Sequence, residues 1–251
     1  EAKVSATLVD AENYELSGQI APLTWVINKA KVDVSGLTWN YSQAFTYDGN
    51  EKEVKLNTNL TTIVITYQNN KATNAGTYTA QATIAPANTN YEVSGTVATC
   101  EWVINKAKVD VSELDWDYSE PFTYDGTEKE VKLVGTVANV EVSVSGNKAT
   151  NAGSYTAVAT LTTTSENYEI FGTVADLAWE IEKAELDVTG LEWKYEAAFT
   201  YDGTEKEVTL EGSVSGVEVS VSGNKATNAG TYTAVATLSY DEDNYTLKGQ
   251  V

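Results

Sequence analysis

Hydrophobic and polar residues alternate with a period of two along most of the chain, and no stretch shows a helical period. In VEVSVS, residues 140–145, valines alternate with glutamate and serine. In LAWEIE, residues 177–182, Leu177, Trp179 and Ile181 fall on one predicted face. Gly, Asn and Asp separate such runs, which is typical of short strands joined by tight turns. The pattern predicts an all-β fold of β-sandwich domains.

The same elements recur every 77 residues, so the chain is a tandem array. NKATNAGTYTA occupies residues 70–80 and 224–234, and NKATNAGSYTA occupies residues 147–157. Further sets with this spacing are Trp25, Trp102 and Trp179; Tyr47, Tyr124 and Tyr201; and the Asn-Tyr pairs that end at Tyr14, Tyr91, Tyr168 and Tyr245. We predict the closing strands of an incomplete repeat in residues 1–30, full repeats in 31–107 and 108–184, and a repeat without its closing strand in 185–251.

The NAGTY stretch predicts a structural corner. In immunoglobulin-like sandwiches, a tyrosine near the start of a late strand hydrogen-bonds back to upstream backbone. Tyr78 follows a turn that contains Asn74 and Gly76, and the small Ala80 leaves room for Trp102 on a facing strand. We therefore predict structural roles for the tyrosines and glycines of the three copies: Tyr78, Tyr155, Tyr232, Gly76, Gly153 and Gly230.

Four elements together resemble the bacterial immunoglobulin-like repeats of the Tyr-Asp-Gly (YDG or MBG) type. They are FTYDGTEKEV at residues 122–131 and 199–208, the NAGTY stretch, the Asn-Tyr pair, and a closing WVINKA or WEIEKA. The resemblance covers the whole chain. It implies a rod-like array of immunoglobulin-like domains with a structural or spacer role in cell-surface stalks, adhesins or fibres. It also implies an extracellular location on the bacterial surface.

The amino-acid composition argues against several classes of function. The 251 residues include 36 acidic and 16 basic side chains, which give a formal net charge of −20, and no histidine. This charge opposes binding to nucleic acid or anionic lipid, and no apolar run approaches the roughly 20 residues of a membrane helix. Without histidine the common triads and histidine-ligated zinc sites are excluded. We expect no enzyme activity and no membrane insertion.

Acidic residues are the candidate metal ligands. The aspartates of the Tyr-Asp-Gly elements are better explained as turn formers, because Asp-Gly favours tight turns. The loop SYDEDNY at residues 239–245 is the best calcium candidate, since calcium binds clustered carboxylate and carbonyl oxygens. Its carboxylates are Asp241, Glu242 and Asp243. We expect no other cofactor.

A Trp-x-Tyr pair recurs once per repeat, and two interpretations of it remain open. As an exposed strip it would stack on glycans or host glycoproteins, which is the alternative function to the spacer. As packed rings it belongs to the core or to the contact between repeats, where large aromatic side chains are usually found. The residues are Trp39, Tyr41, Trp116, Tyr118, Trp193 and Tyr195. Exposure of Trp116 separates the two interpretations.

Two further features concern individual side chains. Cys100 is the sole cysteine, so no intrachain disulfide forms, and it is expected to act as a small core residue. Lys52, Lys129 and Lys206 recur together with Asn90, Asn167 and Asn244, the pairing that isopeptide bonds need, but solvent and turn roles explain both sets.

The open last repeat has two explanations. Either the chain is part of a longer protein, or a strand from another molecule completes residues 185–251. Residues 20–30 are a candidate donor, because Leu23, Trp25 and Ile27 reproduce the closing pattern. The predicted partners are neighbouring repeats or sister chains, and surface glycans in the alternative.

Overall fold

A computed structural model of the chain describes residues 4–250. Residues 1–3 and residue 251, which the predicted domain ranges include, lie outside the described residues. Regular structure in the described part is entirely β, and the all-β tandem-repeat fold is confirmed. Nowhere in residues 4–250 is there a helix long and apolar enough to cross a membrane. The chain divides after Ala107 into two compact units, of which the second contains two repeats.

Each repeat consists of short strands, because runs of alternating apolar and polar residues are separated by turn-forming residues. The strands of the first repeat are β1 (Ala30–Asp33), β2 (Thr38–Trp39), β3 (Phe45–Thr46), β4 (Lys52–Glu53), β5 (Leu56–Asn57), β6 (Ile63–Gln68), β7 (Lys71–Ala72), β8 (Gly76–Pro86), β9 (Tyr91–Ser94) and β10 (Cys100–Asn105).

The second repeat contains the same set. Its strands are β11 (Ala107–Asp110), β12 (Asp115–Asp117), β13 (Phe122–Thr123), β14 (Lys129–Glu130), β15 (Lys132–Val134), β16 (Val140–Ser145), β17 (Lys148–Ala149), β18 (Gly153–Thr163), β19 (Tyr168–Phe171) and β20 (Leu177–Glu182).

The third repeat has fewer strands in the described part. They are β21 (Ala184–Asp187), β22 (Glu192–Lys194), β23 (Lys206–Glu207), β24 (Thr209–Glu211), β25 (Val217–Ser222), β26 (Lys225–Ala226), β27 (Val235–Tyr240) and β28 (Tyr245–Lys248).

One long strand organises each complete repeat. The first half of β8 pairs antiparallel with β10 and its second half pairs antiparallel with β6. Strand β3 joins the other side of β10 in parallel, so the sheet order is β3-β10-β8-β6. The second repeat repeats this order as β13-β20-β18-β16. The expectation that Trp102 lies on a facing strand is wrong, because β10 is the immediate neighbour of β8 and Trp102 lies opposite Tyr78.

The closing strands β10 and β20 carry the largest buried side chains. In the second repeat, Trp179 and Ile181 are buried with Val131 and Ala157, and the aromatic rings of the early strands pack around them. The first repeat has the same cluster, made of Val54, Ala80, Trp102 and Ile104. We call this cluster the tryptophan core. Other residues are buried outside these clusters, and we call them the second buried group: Val34; Val111 and Leu114; Val188 and Leu191.

The third repeat lacks the tryptophan core in the described residues. Strand β27 begins at Val235, whereas β8 and β18 begin at Gly76 and Gly153. The equivalent residues 230–234 form no strand. Phe199, the counterpart of Phe122 on β13, also lies outside any strand and is exposed. An extended segment needs a hydrogen-bonding neighbour, and in the complete repeats that neighbour is the closing strand.

Residues 4–29 contain no regular strand, whereas the sequence predicted closing strands of an incomplete repeat in residues 1–30. Trp25 is 61% exposed, whereas its counterpart Trp179 is 2% exposed. This exposure has the same physical reason as the loss of strand structure in the third repeat, namely a missing neighbouring strand. In the described part of this segment no strand equivalent to β8 precedes the closing pattern, so its apolar face has nothing to pack against.

We predict that Trp179→Ala lowers the opening free energy of β18 amides in native-state hydrogen exchange by about 3–5 kcal/mol. The substitution removes a buried indole and leaves a cavity. Trp25→Ala is the matched control, because it changes the same repeat position where the ring is exposed, and its effect is expected to stay within about 0.5 kcal/mol. Equal effects of the two substitutions would contradict the assignment of the core.

Candidate functional site

The tyrosine of each NAGTY or NAGSY stretch makes a hydrogen bond to upstream backbone, as the sequence predicts. The Tyr155 hydroxyl donates to the carbonyl oxygen of Asn151 at 2.7 Å, and its ring centroid lies 4.9 Å from that of Trp179. A Cβ atom on Gly153 would lie 3.5 Å from the same hydroxyl, so the ring covers the glycine. Tyr78 and Tyr232 make the equivalent bonds to Asn74 and Asn228 at 2.8 Å, over Gly76 and Gly230.

The Tyr-Asp-Gly element is a turn closed by an ion pair. The Asp125 carboxylate accepts a hydrogen bond from the Thr127 amide at 2.9 Å and pairs with the Lys129 ammonium. The hydrogen bond from Lys129, followed by those from Thr127, holds the pKa of Asp125 well below its usual range. Asp48 with Lys52 and Asp202 with Lys206 repeat the arrangement. The recurring lysines thus have an acidic partner within their own turn, which favours the turn role over isopeptide chemistry.

The Trp-x-Tyr pairs of the complete repeats point their polar atoms into the protein. The Trp116 indole N–H donates to the Ala175 carbonyl at 2.9 Å, and the Tyr118 hydroxyl accepts from the Glu180 amide at 3.0 Å. Both rings are half-buried against the tryptophan core. Trp39 and Tyr41 make the same bonds in the first repeat. These contacts favour the packing interpretation, because the rings fasten the closing strand and the loop before it.

The acidic loop of the third repeat is used for turn formation. Asp241 accepts from the Asp243 amide at 3.1 Å and from the Asn244 side-chain amide at 2.8 Å. Glu242 contributes its backbone carbonyl to the Lys183 ammonium at 2.6 Å. Within residues 4–250, no group of three or more acidic or cysteine side chains is arranged to hold a metal ion. The calcium prediction therefore finds no supporting geometry.

Cys100 behaves as a packing residue. It is half-buried on β10 and packs against the tryptophan core of the first repeat. Burial raises the pKa of its thiol, which reduces the thiolate fraction and hence the reactivity.

The contact between the second and third repeats uses Asn244, for which the sequence indicated only a solvent or turn role. The ring of Tyr124, from the Tyr-Asp-Gly element, meets the ring of Tyr245 edge-on at 5.2 Å. The side-chain oxygen of Asn244 accepts a hydrogen bond from the Ala152 amide at 2.8 Å. Asn244 is buried there. We call Tyr124, Ala152, Asn244 and Tyr245 the junction. The one available signal was the recurrence of Asn-Tyr at the repeat spacing.

An open groove marks the third repeat where β20 lies in the second. Its volume is about 640 Å³, and it is lined by Trp193, Tyr195, Phe199, Val208, Gly223 and Tyr232, among others. Tyr195 is 55% exposed, whereas Tyr118 at the same position of the second repeat is half-buried. Its lining includes both aromatic and polar residues.

Fold and motifs together define a tandem array of β-repeats in which the recurring aromatic residues serve packing and the junction. A family model described as the MBG domain matches residues 35–108, 119–184 and 196–249. The chain therefore belongs to the MBG domain family. Comparison with curated proteins and with solved structures gives no match.

We predict that Asp125→Asn lowers the melting temperature at neutral pH and that its difference from the parent shrinks in acid. The folded state depresses the pKa of Asp125, so its stabilising contribution is complete above the unfolded pKa of about 3.9 and is lost as pH falls through the folded pKa. Thermal melts from about pH 7 down to about pH 2 test this.

Lys129→Gln provides the control in a double-mutant cycle. Without the ammonium, Asp125→Asn should have a smaller effect at neutral pH, because only the Thr127 hydrogen bonds to the carboxylate remain. If Asp125→Asn and the parent differ equally at every pH, the turn ion pair does not contribute to stability as described.

Proposed function

We propose that this chain is a non-catalytic structural spacer, a segment of a stalk or fibre on a bacterial cell surface. The observation that carries the proposal is the junction, where the recurring motif residues contact the next repeat. A repeat that binds its neighbour through residues recurring at the repeat spacing is suited to forming a long array.

The linker between the second and third repeats is very short. Strand β20 ends at Glu182 and β21 begins at Ala184, so a single residue, Lys183, separates them. Its ammonium donates to the Glu242 carbonyl of the third repeat, and the junction adds a buried hydrogen bond and a ring contact. Short connections and packed interfaces restrict relative motion of domains. This supports a spacer that resists bending.

Composition supports an extracellular location. The formal net charge of −20 keeps an extended surface soluble by self-repulsion. Stability comes from packed aromatic cores and turn ion pairs without a disulfide. The MBG repeats that the chain resembles imply the same setting. Binding of glycans through the Trp-x-Tyr pairs has no comparable support, since in the two complete repeats their polar atoms are engaged within the repeats.

We predict that the second and third repeats of the full chain keep one fixed separation. Spin labels at Ser143→Cys and Ser220→Cys lie on exposed positions of β16 and β25. Cys100→Leu removes the native thiol and introduces the residue found at this position in the other repeats. Double electron–electron resonance, with labelled chains diluted in unlabelled protein, should give one narrow distance distribution.

The variant Asn244→Ala/Tyr245→Ala should broaden that distribution, because it leaves the Ala152 amide without its partner and removes the ring contact. The loss of the buried hydrogen bond should also cost about 1–3 kcal/mol. Asn13→Ala/Tyr14→Ala is the matched control: Asn13 bonds to Asp10 as Asn244 does to Asp241, on an exposed segment. A broad distribution in the parent chain would rule out the stiff spacer.

A further inference from the structure

We propose that strand β16 of the second repeat pairs edge to edge, in antiparallel orientation, with β16 of a second copy of this chain. The pairing is centred on Ser143, so that Val142 of each copy lies opposite Val144 of the other. Two arrays are thereby held side by side. The inference goes beyond the spacer function and does not depend on it.

Strand β16 has an unpaired edge. It is the outer strand of the sheet β13-β20-β18-β16, and within residues 4–250 it pairs only with β18. The Thr164 amide donates to the carbonyl oxygen of Asn139 at 3.0 Å, so the odd-numbered residues of β16 exchange hydrogen bonds with β18. The N–H and C=O groups of Val140, Val142 and Val144 therefore point away from the sheet, where they can pair with another strand.

The sequence of β16 does not oppose such pairing. Natural edge strands are commonly protected by a lysine, a proline or a bulge. VEVSVS contains neither lysine nor proline, and its one charged residue is Glu141. Its six residues pair one to one with β18, so no bulge interrupts the edge. Val142 and Val144 are 45% and 40% exposed, which adds an apolar surface beside the free backbone groups.

The first repeat shows how this apolar surface can be covered within a repeat. Its edge strand β6 carries Tyr67 at the position of Val144. The Tyr67 ring centroid lies 5.8 Å from that of Trp39, and the Tyr67 hydroxyl accepts a hydrogen bond from the Leu56 amide at 3.1 Å. A valine has neither the ring nor the hydroxyl for these contacts. The edge of the second repeat therefore keeps exposed valines that a second β16 can cover.

Hydrogen bonding and charge together select the register. Only registers that place even-numbered residues opposite even-numbered residues bring the free N–H and C=O groups together. In these registers the valine faces of the two copies form one continuous face, because side chains alternate along a strand. Centring on Glu141 would place two carboxylates directly opposite, and centring on Val142 would place them diagonally. Centring on Ser143 places each Glu141 opposite Ser145 of the other copy.

The same edge occurs twice in the chain. VEVSVS recurs at residues 217–222 as β25, which in the described part of the chain pairs only with β27. Val219 and Val221 are 40% and 42% exposed. One strand pair is a small contact and a net charge of −20 opposes association, so each edge binds weakly and added salt should strengthen binding. Two edges on one chain increase the avidity of the contact.

Sedimentation velocity of the full chain, over a concentration series at low and high salt, tests the pairing. The parent should self-associate. Val142→Pro/Val219→Pro should weaken association roughly tenfold or more, because proline removes the outward N–H at the centre of each edge. It removes no hydrogen bond to β18 or β27, and proline is tolerated at such edge positions. Val142→Thr/Val219→Thr is the matched control: it keeps the N–H and the β-branched shape and should associate within about threefold of the parent.

Two results of this experiment overturn the proposal. One is a parent that stays monomeric at every concentration and salt. The other is a proline variant that associates like the parent. Thermal melts of the proline and threonine variants show whether the proline variant keeps the fold, and cross-linking tests the pairing without proline.

Ser143→Cys in a Cys100→Leu background tests the register. In the proposed pair Ser143 lies opposite its own counterpart at a non-hydrogen-bonded position, where the Cα atoms are about 4.5 Å apart, within the range of disulfides. Oxidation by glutathione disulfide should therefore give a covalent dimer. Glu141→Cys in the same background is the matched control, equally on the exposed edge but four positions away from its own counterpart along the pair.

Ser143→Cys should cross-link roughly tenfold faster than Glu141→Cys. The control also removes a repelling carboxylate, so slower cross-linking of Glu141→Cys cannot result from charge. Equal rates, or the absence of a covalent dimer from Ser143→Cys, would overturn the symmetric pairing of β16.

Discussion

Burial of one tryptophan on the last strand of each complete repeat is the interaction on which the rest of that repeat depends. Trp179 packs against Tyr155 from the long strand and lies edge-on to Phe122 from an early strand, with ring centroids 6.0 Å apart. Its indole N–H is satisfied by Gly146. One side chain therefore ties the beginning, middle and end of the repeat together. Burying such a large ring contributes more than any single exposed ion pair of the turns.

The third repeat shows which parts depend on that strand. The Tyr232 hydroxyl still bonds to Asn228, and Val188 and Leu191 remain buried. Local hydrogen bonds and the second buried group thus persist without the tryptophan. Two features of the complete repeats are missing in the described residues. Residues 230–234 do not form a strand, and Tyr195 is exposed. The closing strand therefore adds to a framework that the rest of the repeat forms without it.

Residues of the recurring motifs make contacts both within their own repeat and with the next repeat. Tyr124 closes onto the tryptophan core of its own repeat and meets Tyr245 of the next. Ala152 lies in the turn that leads to the Tyr155 corner, and its amide binds Asn244. Because the same residues build the repeat and bind its neighbour, stability and spacing are coupled. This coupling explains why identical stretches recur without requiring a ligand.

Much of this architecture could be predicted from the sequence, and the limits have a physical cause. Period-two alternation determined that the fold is β and that Trp179 and Ile181 face inward, because adjacent side chains of a strand point to opposite faces. The 77-residue spacing determined the tandem array, and the NAGTY stretch determined the tyrosine corner. Each of these properties depends on residues close together in the chain or on identity between repeats.

Only the tertiary structure decided which strands are neighbours and what covers each face. It placed β10 beside β8, left Val142 and Val144 of β16 exposed, and brought Asn244 to the Ala152 amide 92 residues away. It also turned the polar atoms of Trp116 and Tyr118 inward, which composition and spacing left open. A pattern along the chain states which side chains share a face, but the partner of that face is selected by packing between segments distant in sequence.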